Sequence, residues 1–379
     1  MGYVDIEGLK QEVIAYSKTI GIDKIGFASA DVFTELKERL IQQEESGFAS
    51  GFEKGTVEER TEPKKLLPGA KSIISIALAY PSRIQNPPKS KKGERRGIFC
   101  RASWGEDYHV VLRRKLNQLY AFIEEMYPEF YGRVMVDTGE LNDGAVAERA
   151  GVGFAGKNTM LITEEFGSWV YLGEMITNIP FIPDKPVEDS CGDCRICLDA
   201  CPTGALVEAG RLNAHKCLAF LTQTKDFLPE EYRKTIGTRV YGCDTCQAVC
   251  PKNKGIDFHL HEALEPEPEV AKPLLRPMLT MSNREFKEKF GHLAGFWRGK
   301  KPLQRNAIIA LAHFKDTSAL DELKYALIED VRPVIRGTAA WSLGKIGTEE
   351  ANELLQEALE KESNHQVIFE LEQALKTTV

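Results

Sequence analysis

The chain has 379 residues, 42% apolar and 28% charged, the balance of a soluble globular protein. Its length exceeds one ordinary core and gives room for two or three domains. A net charge of -7 argues against simple coating of nucleic acid but leaves room for local basic faces. The chain shows neither a membrane-length apolar run nor a secretory leader, so a cytoplasmic setting with reduced thiols and no membrane partner is expected.

Residues 1–185 alternate helical and strand signals. Ile6, Leu9, Val13 and Ile14 recur at helical spacing between Asp5 and Thr19. Lys24 to Ala28 reads as a short strand, and Ser72 to Leu78 as a buried strand rich in β-branched residues. Tyr108 to Met126 is a long amphipathic helix, Arg133 to Val136 another strand, and Gly167 to Ile176 a further one. These elements predict an α/β domain with a mixed sheet.

Arg133 to Gly139 is a strand that ends in an acid, Asp137, before a turn. Acids at strand ends in α/β domains sit where ligands bind, although a turn-capping carboxylate looks the same. Gly139, Gly151, Gly153 and Gly156 follow closely and allow near backbone approach to a ligand. They follow a helix instead of opening one after a strand, so a dinucleotide loop is rejected. Cys100 stands outside every cysteine motif, beside Arg101, where a nearby cation would favour thiolate.

Phe181 to Pro186 is a proline-marked linker into a segment that holds eight of the nine cysteines. The first run is Cys191, Cys194, Cys197 and Cys201-Pro202; the second is Cys243, Cys246 and Cys250-Pro251, with Cys217 between them. Zinc sites seldom combine two successive two-residue spacings with Cys-Pro, and disulfides suit neither the spacing nor the compartment. The pattern fits two 4Fe–4S clusters. In two-cluster ferredoxins the cysteine before proline ligates the other cluster. That rule assigns Cys191, Cys194, Cys197 and Cys250 to one cluster, and Cys201, Cys217, Cys243 and Cys246 to the other. Such a chain moves electrons singly.

From about residue 300 the chain is helical and repeats at an offset of 32, which aligns Asn306–Leu311 with Thr338–Leu343. The same offset pairs Ala319 with Ala351, Leu323 with Leu355, Ala326 with Ala358 and Leu327 with Leu359. This is a short HEAT-like solenoid. The expected division is an α/β domain over 1–185, a ferredoxin-like two-cluster domain over 186–262 and a helical repeat domain over 263–379.

Taken together, several motifs carry a resemblance along the whole chain. They are Arg60-x-x-Pro63 running to Ala70, Asp107-Tyr108-His109, Val136 to Gly139, Ala147 to Gly151, Gly156-Lys157-Asn158-Thr159, both Cys-Pro runs, and Tyr241 to Gln247. The chain resembles the epoxyqueuosine reductase family. The resemblance implies a cobalamin-binding first domain and reduction of the epoxide of epoxyqueuosine, at the wobble position of tRNA, to queuosine. It makes Asp137 the proton donor and expects its protonated form to need an apolar, desolvated site. It places Arg60, Cys100, Asp137, Lys157, Asn158, Thr159 and Leu161 around cobalamin. Phe99 to Trp104 departs from the family run, so Cys100 is not essential to the family chemistry.

An RNA partner gives the basic stretches a purpose, because Lys and Arg neutralise phosphates. Arg298, Lys300, Lys301, Arg305 and Arg336 are the expected tRNA contacts, with Arg332 and Lys345 nearby. The remaining expectations are a flavodoxin or small ferredoxin as electron donor and a monomer. The alternatives are a cobalamin-dependent reductive dehalogenase, against which the helical tail speaks, a pure electron carrier and a non-catalytic tRNA-binding module.

Overall fold

The computed structural model describes residues 5–377. It forms two compact units. The first takes the chain up to Arg83, then Glu106–Cys217 and Thr245–Glu265; the second takes Ile84–Gly105, Leu218–Asp244 and the chain from Pro266 onward. These units do not coincide with the expected divisions at 185 and 262. Most of the cysteine-rich segment folds into the first unit, whereas Leu218–Asp244 belongs with the helical repeats. The physical reason is that a cluster-binding segment has little apolar core of its own. It is pinned to the first unit by polar contacts instead. Gln247 donates to the Ser168 carbonyl at 2.9 Å, and the Ala214 amide donates to the Phe48 carbonyl at 3.0 Å.

In the first unit, α1 (Ile6–Thr19) precedes a four-stranded sheet. The strands are β1 (Lys24–Ser29), β2 (Ser72–Ala79), β3 (Gly132–Met135) and β4 (Val170–Thr177), in spatial order β1-β2-β4-β3. Every pairing in this sheet is antiparallel, so the expected mixed sheet is corrected in that detail. Among the described residues the one parallel strand pairing joins Ile98–Phe99 to Arg239–Tyr241, in the second unit. All eight residues of β2 are buried, which reads as a parallel strand in sequence. Here the cause is a central position with both faces covered. On one face, α2 (Tyr108–Met126) lies so close that a Cβ on Gly173 would stand 3.1 Å from Leu116. On the other, Val146 and Ala147 of α3 (Asp143–Arg149) pack with Ile73, Ala77 and Ile176. Gly173 and Ile176 are three residues apart on one strand and so point to opposite faces.

The second unit is built on α4 (Lys300–Phe314), α5 (Leu320–Ile328), α6 (Pro333–Ile346), α7 (Glu349–Lys361) and α8 (His365–Thr377). The offset of 32 maps α4 onto α6 and α5 onto α7. Ala319, Leu323, Ala326, Leu327, Ala351, Leu355 and Ala358 are all buried in one core, and Leu359 packs against it. Helices α4 and α6 are buried almost all round, as the inner members of a stacked solenoid must be. Among the described residues no helix is long and apolar enough to cross a membrane.

Candidate active site and cluster-binding segment

Asp137 follows β3 by two residues, behind buried Val136. Its backbone is left-handed at φ 49°, a conformation that Asp tolerates better than most side chains. The turn is held by the Asp137 amide, which donates to Asp143 Oδ2 at 2.8 Å. Asp143 is itself fixed as the first residue of α3, whose cap Asn142 accepts the Ala145 amide at 2.9 Å. Local sequence therefore aims the Asp137 side chain.

That side chain meets the opening of α2. Asp137 Oδ2 accepts from the Tyr108 hydroxyl at 2.7 Å and lies 3.1 Å from His109 Nε2. Asp107 caps α2 by accepting the His109 amide at 3.0 Å, and its Oδ1 also lies 2.6 Å from His109 Nδ1. The Tyr108 ring stacks on Tyr171 of β4 with centroids 4.6 Å apart and planes within 5°. The imidazole is thus clamped between two carboxylates. Burial works against its charge, but the hydrogen bonds to Asp107 and Asp137 prevail and raise it to about 9. Burial would raise Asp137, yet the bonds from His109 and Tyr108 hold it below the usual carboxylate range. With 59% of its side chain exposed, Asp137 is an ion-paired carboxylate here and not the neutral acid of an apolar pocket. Both shifts favour the proton on His109 over Asp137.

Beneath this surface lie two further acids that sequence reasoning missed. Burial pushes Asp143 up to about 7, although the Asp137 amide opposes the shift. Glu174 of β4 is 1% exposed, and neither carboxyl oxygen has a hydrogen-bond partner. Burial, then the charges of Asp143 and Asp137, drive it well above its ordinary value. The legible sign of Glu174 was an acid in the middle of an apolar strand. The sign of the Tyr108–His109 partnership was an Asp cap followed at once by two ionisable aromatics.

The expected cobalamin residues fare unequally. Arg60, on the helix Val57–Thr61, is half-buried. Asn158 is 3% exposed, and its Nδ2 is a buried donor without a partner. Thr159 beside it has a left-handed backbone at φ 68°, and Leu161 is buried on the short strand Leu161–Ile162. Lys157 Nζ, however, donates to the Gly192 carbonyl, and the Lys157 carbonyl accepts from Gly210 at 2.9 Å. This lysine ties the loop to the cysteine-rich segment. Cys100 is also corrected. Burial raises its thiol well above the ordinary value, Asp244 and Cys243 add to the rise, and Arg101 is engaged with Asp244 at 2.9 Å. The thiol packs where a Cβ on Gly242 would approach within 2.3 Å, so it fills space beside Tyr241.

Among the cluster cysteines of the first unit, Cys250 stands close enough to Cys191 and Cys197 to raise both thiols, after burial as the main cause. A cysteine of the second run thus lies near two of the first. Cys201 shows the opposite shift. Burial opposes it, but the amides of Leu206, Thr203 and Ala205 converge on the sulfur and favour thiolate, with Ala205 N at 3.3 Å. That is the environment of a metal-bound sulfur. Among the described residues no three such side chains are already gathered into a closed cage, so ligation rests on spacing and these contacts.

Most of the expected tRNA contacts have partners within the chain. Arg305 is fully buried within α4, where it donates to the carbonyls of Leu221, Thr224 and Asp226 at 2.6–2.9 Å. Arg336 binds Glu362 through two bonds, at 2.7 and 3.0 Å. Lys300 Nζ donates to the Met281 carbonyl, and burial lowers its proton affinity. Arg332 pairs with Asp330. Arg298 lies over the Trp297 ring at 4.9 Å, and Lys301 is half-buried.

An antiparallel α/β unit with an acid–imidazole–acid site, a cysteine set suited to iron–sulfur clusters and a helical solenoid define a redox enzyme. A family model described as "Epoxyqueuosine reductase QueG, DUF1730" matches residues 60–138, a 4Fe–4S double cluster binding domain matches 190–253, and HEAT repeats match 299–376. The epoxyqueuosine reductase of Bacillus cereus is 64% identical, over 98% of each chain. That of Bacillus subtilis is 62% identical, over 98% of this chain and 97% of its own. A crystal structure of epoxyqueuosine reductase with an epoxyqueuosine-modified tRNA-Tyr stem loop is 62% identical, with a TM-score of 0.97 over 99% of this chain and 100% of that one. This chain belongs to the epoxyqueuosine reductase family and is an oxidoreductase with two 4Fe–4S clusters.

Proposed function

We propose that this chain reduces the epoxide of epoxyqueuosine in tRNA to queuosine, with electrons entering singly through the two clusters and Asp137 handing a proton to the departing oxygen. The observation that carries this reading is the placement of Asp137 at a strand end, in a strained turn, bonded to Tyr108 and His109. An opening epoxide leaves a developing alkoxide, and a positioned carboxyl neutralises it by proton transfer. The solved relative with a modified stem loop supports the substrate. A Bacillus subtilis structure, 61% identical with a TM-score of 0.97 over 99% of this chain and 100% of that one, has its catalytic aspartate loop swung out of the active site, which supports a catalytic role for an aspartate.

Cobalamin suits the same unit. The orphaned Asn158 amide and the half-buried Arg60 offer donors to a macrocycle edged with amides, and Thr159 and Leu161 flank them. Bound there, cobalamin would supply one-electron redox chemistry. Lys157 serves by holding the loop against the cysteine segment, and Cys100 stays outside the set. Cys191, Cys194, Cys197 and Cys250 hold one cluster; Cys201, Cys217, Cys243 and Cys246 hold the other. The division 1–185, 186–262 and 263–379 is one of chemical labour. Arg298 and Lys301 remain as phosphate contacts to the anticodon stem, and the modified base leaves its stack to react. A flavodoxin or small ferredoxin feeds a monomer.

The test is an anaerobic optical titration of the iron-reconstituted protein with cobalamin, followed by single turnover on epoxyqueuosine-containing tRNA with a strong reductant. Cobalamin-dependent conversion to queuosine supports the reading. Tight cobalamin binding without conversion redirects it to another reducible substrate, and no cobalamin binding removes the cofactor.

A further inference from the structure

We propose that His109 is the proton relay of this site: it recharges Asp137 within each turnover and is itself held to that task by Asp107. The inference rests on the proposed epoxide reduction and deepens it.

The reaction's stoichiometry sets the need. Deoxygenating an epoxide breaks two C–O bonds, forms one C=C bond and releases water. It consumes two electrons, from the external one-electron donor through the clusters, and two protons. Asp137 has one carboxyl and can give one proton before it must be reloaded. Its Oδ2 accepts the Tyr108 hydroxyl at 2.7 Å and faces the imidazole at 3.1 Å, an arrangement that favours the ionised carboxylate at rest. Both protons therefore reach the substrate oxygen by way of a neighbour.

Geometry singles out that neighbour. His109 Nε2 points at Asp137 Oδ2, and Nδ1 lies 2.6 Å from Asp107 Oδ1. Asp107 also accepts the His109 amide, so backbone and ring are fixed by one carboxylate. That bond keeps the Nδ1 proton in place and leaves Nε2–H as the mobile one. The step is Nε2–H to Asp137 Oδ2, then Asp137 to the substrate oxygen. Water returns a proton to Nε2, since 19% of the His109 side chain is exposed. Asp107 stays ionised throughout.

Tyr108 donates its hydroxyl to the same Asp137 oxygen at 2.7 Å and stacks on Tyr171, which fixes the acceptor in place. The other charged groups around the relay act on its set point. Arg113 donates to Thr138 Oγ1 at 3.0 Å and favours the ionised form of Asp107. Asp143 accepts the Asp137 amide, and buried Glu174 lies behind it. Both are held toward the neutral form, so neither competes with Asp137 for the imidazolium.

The experiment uses the full, cluster-loaded chain. First, ring 15N and 13C shifts of its seven labelled histidines are titrated, with His109 assigned by its loss in His109→Gln. The expected His109 midpoint is near 9, falling by a unit or more in Asp107→Asn and in Asp137→Asn. Second, single-turnover rates are followed from pH 6 to 10. Wild type should be flat to about pH 8.5 and then fall. His109→Gln should be slower by about 10²-fold or more, with a log rate that falls steadily from pH 6, while tRNA affinity and iron content stay unchanged. Asp107→Asn should lower the rate and move its fall to lower pH. A His109 midpoint at or below the ordinary 6.5, or a His109→Gln profile that parallels wild type, overturns the relay. If wild type converts no epoxide, the functional reading fails, and the ring titration still decides whether His109 holds a proton against Asp137.

Discussion

Arg305 in the helical repeats and Asp137 in the α/β unit meet opposite fates. Arg305 came from a basic stretch that read as an RNA contact. Its guanidinium instead satisfies the carbonyls of Leu221, Thr224 and Asp226 inside the second unit. Asp137 came from an isolated acid at the end of a strand, where a turn cap was the plainer reading. It proved to be the meeting point of Tyr108, His109 and, through its amide, Asp143. In the repeat unit charge is consumed by structure: Arg336 by Glu362, and Arg233 by Glu370 at 2.5 Å. In the α/β unit a whole carboxyl is left over: both Glu174 oxygens, with Asn158 Nδ2, lack partners, whereas in the repeat unit Asp316 and Glu322 each leave one oxygen without a hydrogen bond and engage the other. Leftover polarity in a buried place is costly, so it marks where a ligand or a proton belongs.

The contrast can be broken by substitution. Asp137→Asn keeps the shape and the Tyr108 contact but cannot carry the proton, so single-turnover conversion should fall by about 10²–10⁴-fold. Unchanged conversion would end its role as proton donor. Arg305→Ala should leave three carbonyls unpaired within the repeat unit and cost about 3 kcal/mol or more in chemical denaturation. A variant of wild-type stability with weaker tRNA binding would restore the RNA-contact reading.

Titration sharpens the same contrast. Asp143 and Glu174 have folded values above their unfolded ones, so their contribution is fullest below about pH 4 and declines as pH rises, for Asp143 through about 7. His109 is also raised, so its contribution is full below about pH 6.5 and lost as pH passes about 9. Asp143→Asn should flatten the stability profile between pH 4 and 7 while leaving the His109 limb intact. Persistence of the full decline would show that Asp143 ionises as freely in the fold as in the unfolded chain.

The smallest effect belongs to the surface. Lys301→Glu should weaken tRNA binding and lower the slope of log affinity against log salt by about one unit, with the clusters unbleached. An unchanged slope in a gel-shift titration would leave Lys301 as a solvated side chain.

Much of the fold was legible because periodicity reports burial directly. The chain shows Ser72 to Leu78 as a strand, Tyr108–Met126 as a helix and the offset of 32 in α4 to α7, since each apolar pattern matches one face or one core. The cysteine spacings disclosed the clusters because thiolate ligation depends on local loop length. The sheet's antiparallel order was not legible, as a strand covered on both faces has the same apolar run in either direction. Nor was the division into units, because the loop-rich cysteine segment borrows its core from elsewhere in the chain.

By itself, then, the sequence determined the element types, the electron-carrying cysteines and the acid at the end of β3, all set by residues near one another in the chain. Only the tertiary structure decided that Asp107 and Asp137 clamp His109, the latter across 28 residues of sequence, and that Arg305 is core and not surface. The physical reason is one and the same. A side chain's charge state and partners depend on what surrounds it in space, and no local pattern encodes which distant carbonyl or carboxylate that will be.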